Sequence, residues 1–257
     1  MIRVSIIGSG SVAQKLVEAF QKAHSLGAEI DLVQIYSRQI DTVTHLLDLD
    51  KITNNYNALT EADLYIIAVS DDAIASVSSQ LPFKNRLVTH TSGSVAMEDL
   101  DDSNRKAVFY PLQTFSKNRD INFREVPICL ESQNQSDFEL LEKVAKTIST
   151  SIYAIDTEQR KALHVAAVFV NNFVNHLYQV GNDICNQNEV PFEILKPLIQ
   201  ETANKILTLS PNQAQTGPAK RKDTQIINAH LSFLTNEHQK EIYKMLTKSI
   251  IDNGKKL

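Results

Sequence analysis

The sequence predicts an α/β amino-terminal domain with a mainly parallel sheet, followed by an all-α carboxy-terminal domain. Over residues 1–155, short apolar and β-branched runs alternate with helical patterns. From residue 156 onward nearly all patterns are helical, and prolines and a Gly-Pro pair separate them. Strands that alternate with helices require right-handed crossovers and form a parallel sheet that is covered on both faces. We therefore expect one domain over residues 1–155 and a helical domain over residues 156–257.

The individual elements are predicted from the length and the composition of each run. Buried strands are expected over residues 2–7, 30–36, 64–69 and 86–91, with further strands over 107–110, 127–131 and 151–155. Helices of the first domain are expected over residues 12–24, 72–80 and 136–148. The last of these carries the capping-box pattern of Ser136 and Glu139. In the second domain, helices are expected over residues 157–186, 192–209, 223–234 and 237–251.

Bulk composition excludes several classes of protein. The 257 residues are 42% hydrophobic and 22% charged, which is typical of globular chains. The formal net charge of −4 leaves no basic footprint, so we expect no nucleic-acid partner. We also expect no membrane association, because there is neither a signal-peptide pattern nor an apolar run near the roughly 20 residues that span a bilayer. The two cysteines lie far apart, as expected for reduced thiols in a cytoplasmic protein.

A glycine-rich loop follows the first predicted strand and opens the first predicted helix. Gly8 permits a tight turn, Gly10 lets the backbone approach a pyrophosphate, and Ala13 is small enough for the helix to pack on the strand. The helix N-terminus adds free N–H groups and a positive dipole end. We therefore predict a Rossmann domain whose cofactor-binding loop comprises Gly8, Ser9, Gly10, Ser11, Val12 and Ala13. The alternative is a glycine turn in an α/β protein that binds a sugar nucleotide or no cofactor.

The end of the second predicted strand indicates NADP(H) rather than NAD(H). NAD-preferring domains usually place a carboxylate there to accept a hydrogen bond from the ribose 2′-hydroxyl, but this strand is followed by Ser37 and Arg38. The hydroxyl could donate to a 2′-phosphate, and the guanidinium could pair with that phosphate while it stacks on adenine. The alternative is an ordinary surface arginine after a strand.

Polar residues also follow the third and fourth predicted strands, at the edge where an open parallel sheet binds its ligands. Val69 and Ser70 are predicted cofactor contacts, although Ser70 could instead cap the next helix. Thr91 and Ser92 are predicted to approach the nicotinamide end, and His90 beside them is a candidate proton donor. A histidine packed beside hydroxyl-bonded turns explains the same residues.

The predicted helix over residues 157–186 carries an uncharged polar stripe. At about 100° per residue, the stripe contains His164, Asn171, Asn175 and Tyr178. A solvated face would normally carry Lys and Glu, so we predict His164 as a proton donor and the two asparagines as substrate anchors. The alternative is hydrogen bonding between helices in a core or in a dimer interface.

Two further residues are predicted to bind a small polar or anionic substrate. Gln113 lies in an aromatic stretch that suits a pocket wall, although a buried loop would have the same composition. Arg221 lies in a turn with two lysines, where its planar fork could bind a carboxylate or a phosphate. A solvated basic loop is the alternative interpretation.

Taken together, these motifs resemble a family of Rossmann-like proteins whose carboxy-terminal half is the domain of unknown function 2520, often labelled NADP oxidoreductases. The resemblance covers nearly the whole chain and rests on residues 7–13, 90–94 and 110–116, on residues 164–169 with 171–173, and on residues 216–218 with Arg221 and Asp223. More distantly, the chain is similar to ketopantoate reductase, pyrroline-5-carboxylate reductase and the 6-phosphogluconate-dehydrogenase-like group. The resemblance implies a helical second domain of the 6-phosphogluconate dehydrogenase type that commonly dimerises, and an active site between the domains.

One motif of that wider group is missing here. Its hydroxyacid dehydrogenases place a catalytic lysine four residues before an asparagine on the first long helix, whereas Lys161 is followed at that spacing by Val165. The leading hypothesis is a homodimeric enzyme that transfers hydride between NADP(H) and a small polar or anionic carbonyl, imine or alcohol. A non-catalytic NADP(H)-binding or redox-sensing protein is the alternative. A ferredoxin-like or deazaflavin electron donor is a third option, for which the sequence offers no positive sign.

Overall fold

The computed structural model describes residues 1–116 and 119–253. The chain divides into two compact units, Met1–Asn171 and Asn172–Leu257. The predicted boundary, between residues 155 and 156, lies before the first long helix, whereas the compact first unit includes the opening turns of that helix. A buried ion pair between Arg160 in those turns and Glu131 in the sheet joins the start of the helix to the first unit.

An eight-stranded sheet forms the centre of the first unit. Its strands are β1 Ile2–Ile7, β2 Ile30–Tyr36, β3 Ile52–Thr53, β4 Leu64–Ile67, β5 Leu87–His90, β6 Arg105–Pro111, β7 Ile128–Ser132 and β8 Ile152–Ala154. The strand order is β3-β2-β1-β4-β5-β6-β7-β8, and neighbours are parallel except for the antiparallel pair β6 and β7. The predicted α/β class with a mainly parallel sheet is confirmed. Strand β3 was not predicted, since two residues are too few to show an alternating pattern.

The α-helices of the first unit, within residues 1–116 and 119–171, are α1 Ser11–Ser25, α2 Ile74–Ser79, α3 Gln135–Ile148 and α4 Thr157–Ala167. The predicted capping box of α3 is wrong, because the N-cap lies two residues before Ser136. Its N-cap is Asn134, whose Oδ1 accepts from the Asp137 N–H at 2.9 Å. Ser136 lies inside the first turn and donates its hydroxyl proton to the same Oδ1.

The core of the first unit lies on both faces of the sheet. In β4, Leu64 and Ile66 pack into the cluster that contains α1 and α3, whereas Tyr65 and Ile67 pack into the opposite cluster, which contains Ile74 of α2. Successive strand residues point to opposite faces, so a strand that is buried on both faces has an apolar side chain at every position. This is why the central strands read as continuous apolar runs.

The second unit is helical, as predicted. The predicted helix over residues 157–186 consists of α4, a π-helical segment Val168–Phe173 and α5 Val174–Gln187. The remaining helices are α6 Lys196–Ile206, α7 Pro211–Ala214, α8 Pro218–Arg221, α9 Thr224–Phe233 and α10 Glu237–Asn253. Across the described residues of the whole chain, no helix is both long enough and apolar enough to cross a membrane.

The two units differ in how much apolar surface they bury. From residue 172 onward, Ala219 is the one buried hydrophobic residue within the described part of the chain. Large apolar side chains of this unit are instead exposed, for example Leu198 at 62%, Phe233 at 63% and Met245 at 71%. The first unit therefore has a buried apolar core, whereas the second unit leaves many of its large apolar side chains exposed.

Candidate functional site

The loop after β1 is shaped by a glycine that the fold requires. Gly8 has φ +136°, and a Cβ at this position would collide with the carbonyl oxygen of Ala68 on the neighbouring strand end. Its N–H donates to the carbonyl of Tyr36 at 2.9 Å, which joins the loop to the end of β2. Gly8 therefore permits the tight turn that the sequence motif predicted.

The next glycine has a different environment. Gly10 has φ −72°, and a Cβ added there would meet no protein atom within 4 Å. Neither backbone geometry nor packing within the chain requires glycine at this position. Gly10 is the N-cap of α1 and has no side chain, so no capping group competes for the first N–H donors of the helix. These features fit the pyrophosphate of a dinucleotide, which needs a close backbone approach and free donors.

Hydrogen bonds from a buried side chain and packing against the sheet stabilise the rest of the loop. The buried amide of Gln14 donates to the carbonyl of Ser9 at 2.9 Å and to that of Thr42 at 3.3 Å. Ala13 is fully buried where α1 packs on the sheet. The loop thus has a fixed shape before any ligand binds.

A cleft of about 780 Å³ opens in front of this loop, a size typical of small-molecule and cofactor sites. Residues predicted to bind a cofactor or substrate that line the cleft are Gly8, Ser9, Gly10, Ser11, Val12, Arg38, Val69, Ser70 and Gln113. Tyr36, Tyr56 and Phe115 line it as well. The cleft therefore gathers the ends of β1, β2, β4 and β6, as expected at the carboxyl edge of an open parallel sheet.

The two residues after β2 that were predicted to bind a 2′-phosphate have different environments. Arg38 lines the cleft. Ser37 is buried and is not among the lining residues, and its hydroxyl donates to the carbonyl of Gln39 at 2.8 Å. The same Oγ accepts from the Gln39 N–H at 3.2 Å. The predicted contact from Ser37 is therefore corrected, since this hydroxyl stabilises the turn that presents Arg38.

An aromatic pair, which the sequence did not predict, stands beside Arg38. The rings of Tyr36 and Tyr56 stack with centroids 4.2 Å apart and planes 11° apart. Burial, together with Tyr36, raises the pKa of Tyr56 to about 12, although Arg38 acts in the opposite direction. Tyr56 belongs to an irregular segment with no periodic pattern, so only the tertiary structure places it at the cleft.

Ser70 lines the cleft and does not cap the following turn with its side chain. The carbonyl of Ser70 accepts from the Ala73 N–H at 2.9 Å, so the backbone starts that turn. The capping interpretation of its hydroxyl is not the observed one.

The turn after β5 uses most of its polar groups internally, although the buried Nε2 of His90 has no hydrogen-bond partner among the described residues. His90 is fully buried, and its Nδ1 accepts from the Ser92 N–H at 3.1 Å. Burial lowers the pKa of His90 to about 4, with Arg160 acting in the same direction, so the ring is neutral near pH 7. The Ser92 Oγ accepts from the N–H groups of Ser94 and Val95, both at 3.0 Å.

These three predicted residues, His90, Thr91 and Ser92, are not among those that line the cleft. The Thr91 hydroxyl faces the carbonyl of Ile67 at 3.5 Å. The packed-histidine interpretation describes His90 better than that of a proton donor, because the ring is enclosed and its Nδ1 is occupied by the turn. The prediction of a catalytic His90 is corrected accordingly.

His164 is instead placed in a polar pair. Its Nδ1 lies 3.1 Å from the hydroxyl oxygen of Tyr110, and the two rings meet edge to face at 63°. His164 is half-buried on α4, while Tyr110 lies near the end of β6, three residues before the cleft residue Gln113. A Cβ at Gly93 would lie 2.5 Å from His164 Nδ1 and 2.8 Å from Tyr110 Cζ. Glycine is therefore needed at position 93 for both rings to cover this loop.

A buried arginine one helical turn earlier fixes the position of α4. Arg160 is fully buried and pairs with Glu131 at the end of β7. Its guanidinium also donates to the carbonyl of Val95 at 2.6 Å, and Glu131 accepts from the N–H and the hydroxyl of Thr157, each at 3.0 Å. Since residues four apart lie on one helix face, anchoring Arg160 also places His164. The sequence contains no local signal for this pair, whose members are 29 residues apart.

Like His90, His164 is not among the residues that line the cleft, and neither are the remaining predicted residues. Asn171 is exposed and lies in the π-helical segment, whose i→i+5 bonds hold one more residue per turn than an α-helix. The predicted alignment of Asn171 with His164 assumed a regular α-helix, which this segment is not, so the role of Asn171 stays a prediction. Asn175 and Arg221 are exposed residues of the second unit, and their predicted roles remain predictions.

Two family models match the chain. Residues 3–92 match the model described as "NADP oxidoreductase coenzyme F420-dependent". Residues 126–250 match the model described as "Domain of unknown function (DUF2520)". A search of the curated proteins finds no match to this chain.

Solved structures extend these matches over the full length. A "putative NADP oxidoreductase" from Bacteroides fragilis is 34% identical, covers 98% of each chain and has a TM-score of 0.85. An imine reductase from Myxococcus stipitatus, in complex with NAD⁺, is 17% identical, with 99% of this chain and 94% of that chain covered and a TM-score of 0.62. A pyrroline-5-carboxylate reductase from Coxiella burnetii is 15% identical, with 99% and 98% covered and a TM-score of 0.59. The last two are similar to this chain in fold alone.

Proposed function

This chain belongs to the oxidoreductase family that joins a Rossmann-like domain to domain of unknown function 2520, and we propose that it uses NADP(H) to reduce or oxidise a small polar substrate. The reacting group would be a carbonyl, an imine or an alcohol, on a molecule that is polar or anionic. The observation that carries this proposal is the cleft, where the uncapped N-terminus of α1 and the Gly10 backbone face the same space as Arg38 and Gln113.

Each part of the cleft has a separate task in this proposal. The loop residues 8–13 would hold the pyrophosphate by backbone N–H groups, and Val69 and Ser70 would contact the adjoining ribose. Bound NADP(H) supplies the hydride, so the protein's contribution is orientation and proton transfer. His164 is the proposed proton donor, since it is half-exposed on a helix whose position is fixed by a buried ion pair.

The preference for NADP(H) over NAD(H) rests on Arg38. No carboxylate follows β2 at the cleft, and the guanidinium lies beside the stacked pair of Tyr36 and Tyr56. A guanidinium can bind a 2′-phosphate through two hydrogen bonds. Arg38→Ala should weaken NADPH binding about 10-fold to 100-fold, which corresponds to the roughly 1.5–3 kcal/mol of a charged hydrogen bond. NADH binding should be nearly unchanged, and calorimetry with both cofactors measures the difference.

Activity is tested by oxidation of NADPH across a panel of small imines, ketones and keto acids. We expect turnover of at least one of these classes, and a loss of about 100-fold or more in kcat for His164→Ala. Lys161→Ala is a matched control, because this exposed side chain pairs with Glu158 on the same helix. Tight NADPH binding without turnover of any panel member would favour the non-catalytic, redox-sensing alternative.

The family model that matches residues 3–92 includes coenzyme F420 in its description, so the assay needs a second arm. Reduced F420, a deazaflavin, is offered together with NADP⁺, and formation of NADPH is followed. Transfer in this arm alone would replace the small-molecule substrate by a deazaflavin and would leave the cofactor cleft as proposed.

We also propose that the chain forms a homodimer through its second unit. A groove of about 300 Å³ between α5, α9 and α10 is lined mainly by apolar side chains, among them Leu177, Phe233 and Leu246. Burial of exposed apolar surface by a second copy would supply the core that this unit lacks on its own. Sedimentation should give twice the mass of the 257-residue chain, and a monomer at micromolar concentration would contradict the dimer. Both cysteines are free, in keeping with the proposed cytoplasmic location.

A further inference from the structure

The Tyr110 and His164 pair raises a question about protons that the proposed function leaves open. A neutral imidazole that gives up its Nε2 proton becomes an unstable imidazolate unless Nδ1 receives a proton at the same time. In this structure Nδ1 faces one polar atom at hydrogen-bond distance among the described residues, the Tyr110 hydroxyl at 3.1 Å. The two residues therefore need to be considered as one proton-transfer unit.

We infer that Tyr110 is a positioning residue whose hydroxyl donates to His164 Nδ1 and so keeps the imidazole in its Nε2–H form, ready to protonate the substrate. When the substrate heteroatom takes the proton, the Nε2–H bond breaks and Nδ1 accepts the Tyr110 proton. The imidazole stays neutral. Water then gives a proton to Nε2 and leaves as hydroxide, and the Nδ1 proton returns to the Tyr110 phenolate oxygen, which restores the Nε2–H form. The use of this proton rests on the proposed function, whereas the tautomer does not.

The direction of the hydrogen bond follows from the chemistry of the two groups. Burial raises the pKa of Tyr110 to about 12, so the hydroxyl keeps its proton at neutral pH. Imidazole nitrogen is a stronger acceptor than a phenol oxygen, and the bond made by one ring nitrogen decides which nitrogen carries the proton. An alkoxide or amide anion formed on the substrate is a stronger base than a phenolate, so transfer along this path is favourable.

The surroundings hold the ring in one orientation. Nδ1 and Cγ are the ring atoms closest to Gly93, at 2.5 and 2.8 Å from the Cβ position, so Nε2 lies on the side away from this loop. Tyr110 itself is buried among Met97, Val108 and Cys129, which fixes its hydroxyl. Arg160, paired with Glu131, sets the height of α4 above the sheet. Tyr110 is too buried to bind substrate, and half-exposed His164 is the member of the pair that can.

Nitrogen-15 NMR of the His164 ring tests the tautomer without any substrate. At pH 8 the full-length wild-type chain should show the Nε2–H form, and Tyr110→Phe should give a mixture of the two tautomers. Tyr65→Phe is the matched control, since the Tyr65 hydroxyl bonds to backbone groups of Thr60 and Ala62. That variant should lose stability and leave the His164 signals unchanged. An Nδ1–H tautomer in the wild type, or unchanged His164 signals in Tyr110→Phe, would overturn the inference.

Gly93→Ala provides a second route that keeps both polar groups. The added methyl should push the imidazole away from Tyr110 and produce the same mixture of tautomers, even if Tyr110→Phe does not fold. Gly181→Ala is the control, because a Cβ there would have an ordinary contact with Phe192 at 3.8 Å. If Gly93→Ala retains the Nε2–H form, the hydroxyl does not set the tautomer.

Kinetics separates this inference from the proposed function. With a substrate found in the NADPH assay, Tyr110→Phe should lower kcat at least about 10-fold while KM for NADPH stays within about 2-fold. An unchanged kcat would overturn the role of Tyr110 and leave hydride transfer in place. Conversely, the expected tautomer without any turnover would count against the proposed function alone.

Discussion

The turn after β1 and the turn after β5 have similar sequences, but the backbone N–H groups of the first face a cleft and those of the second bond to side chains of the turn itself. One reads Gly8-Ser9-Gly10-Ser11 and the other Thr91-Ser92-Gly93-Ser94, and both follow a buried parallel strand. In the first turn, the N–H groups at the start of α1 have no side-chain cap and face a cleft. In the second turn, His90 and Ser92 accept the turn's own N–H groups.

The difference shows what a polar residue at a strand end requires before it can be assigned to a ligand. A hydroxyl that already accepts two backbone N–H groups, as in Ser92, has its function within the fold. A glycine that no protein atom crowds, as at position 10, leaves its backbone open to another molecule. The glycines differ in the same way, because Gly8 and Gly93 are required by protein atoms, a carbonyl in one case and two rings in the other.

Gly8→Ala should break the first turn and give the largest effect. The substitution combines a positive φ with a collision against the Ala68 backbone, so we expect a loss of about 3 kcal/mol or more in the free energy of unfolding. NADPH binding should be lost as well. Urea unfolding and calorimetry measure the two effects, and a stable variant that binds normally would contradict the assigned backbone geometry.

The second turn should make the protein sensitive to acid. His90 has a pKa of about 4 in the folded chain, against 6.5 when unperturbed, so the unfolded state binds more protons between these values. The contribution of His90 to stability is therefore complete above pH 6.5 and is lost as the pH falls towards 4, by up to about 3 kcal/mol. His90→Asn, whose Oδ1 can still accept from Ser92, should flatten this part of the pH profile. An equally steep profile in the variant would contradict the buried neutral state.

Ser92→Ala should have an intermediate effect on stability and little effect on cofactor binding, as expected if the second turn serves the fold. Two N–H groups lose their acceptor, so unfolding should become easier by about 1–3 kcal/mol. Affinity for NADPH should stay within about 2-fold, because Ser92 is not a cleft residue. A large loss of affinity at unchanged stability would restore the predicted role of Ser92 in cofactor binding.

Gly10→Ala should show the smallest effect on stability and a selective effect on binding. The methyl meets no protein atom and φ is ordinary, so the free energy of unfolding should fall by about 1 kcal/mol at most, the cost of alanine as a poorer N-cap than glycine. NADPH should bind about 10-fold or more weakly, because the methyl would stand where the pyrophosphate approaches the backbone. Unchanged binding would remove the main argument for a phosphate at this loop.

Local patterns predicted much of the fold and one side of the candidate site. The boundaries of β1 and β2 were predicted to the residue, since a buried strand must be short, apolar and bounded by turns. The loop from Gly8 was predicted from its glycine motif, and the position of Arg38 was predicted from the end of the second strand. The hydrogen-bond partners of Ser37 and His90 could not be predicted in this way. A hydroxyl or an imidazole at a strand end can bond to the backbone of a turn or to a ligand equally well. Only the positions of Gln39 and Ser92 decide between these uses.

The amino-acid sequence by itself determined the α/β class, the helical second part and the glycine loop, because these depend on periodicity and on backbone freedom within short segments. The tertiary structure alone decided which polar residues share a site. Tyr110 and His164 are 54 residues apart, and Arg160 and Glu131 are 29 apart. Such contacts depend on the order of strands in the sheet and on the height of a helix above it, and no short segment of the chain encodes either of these.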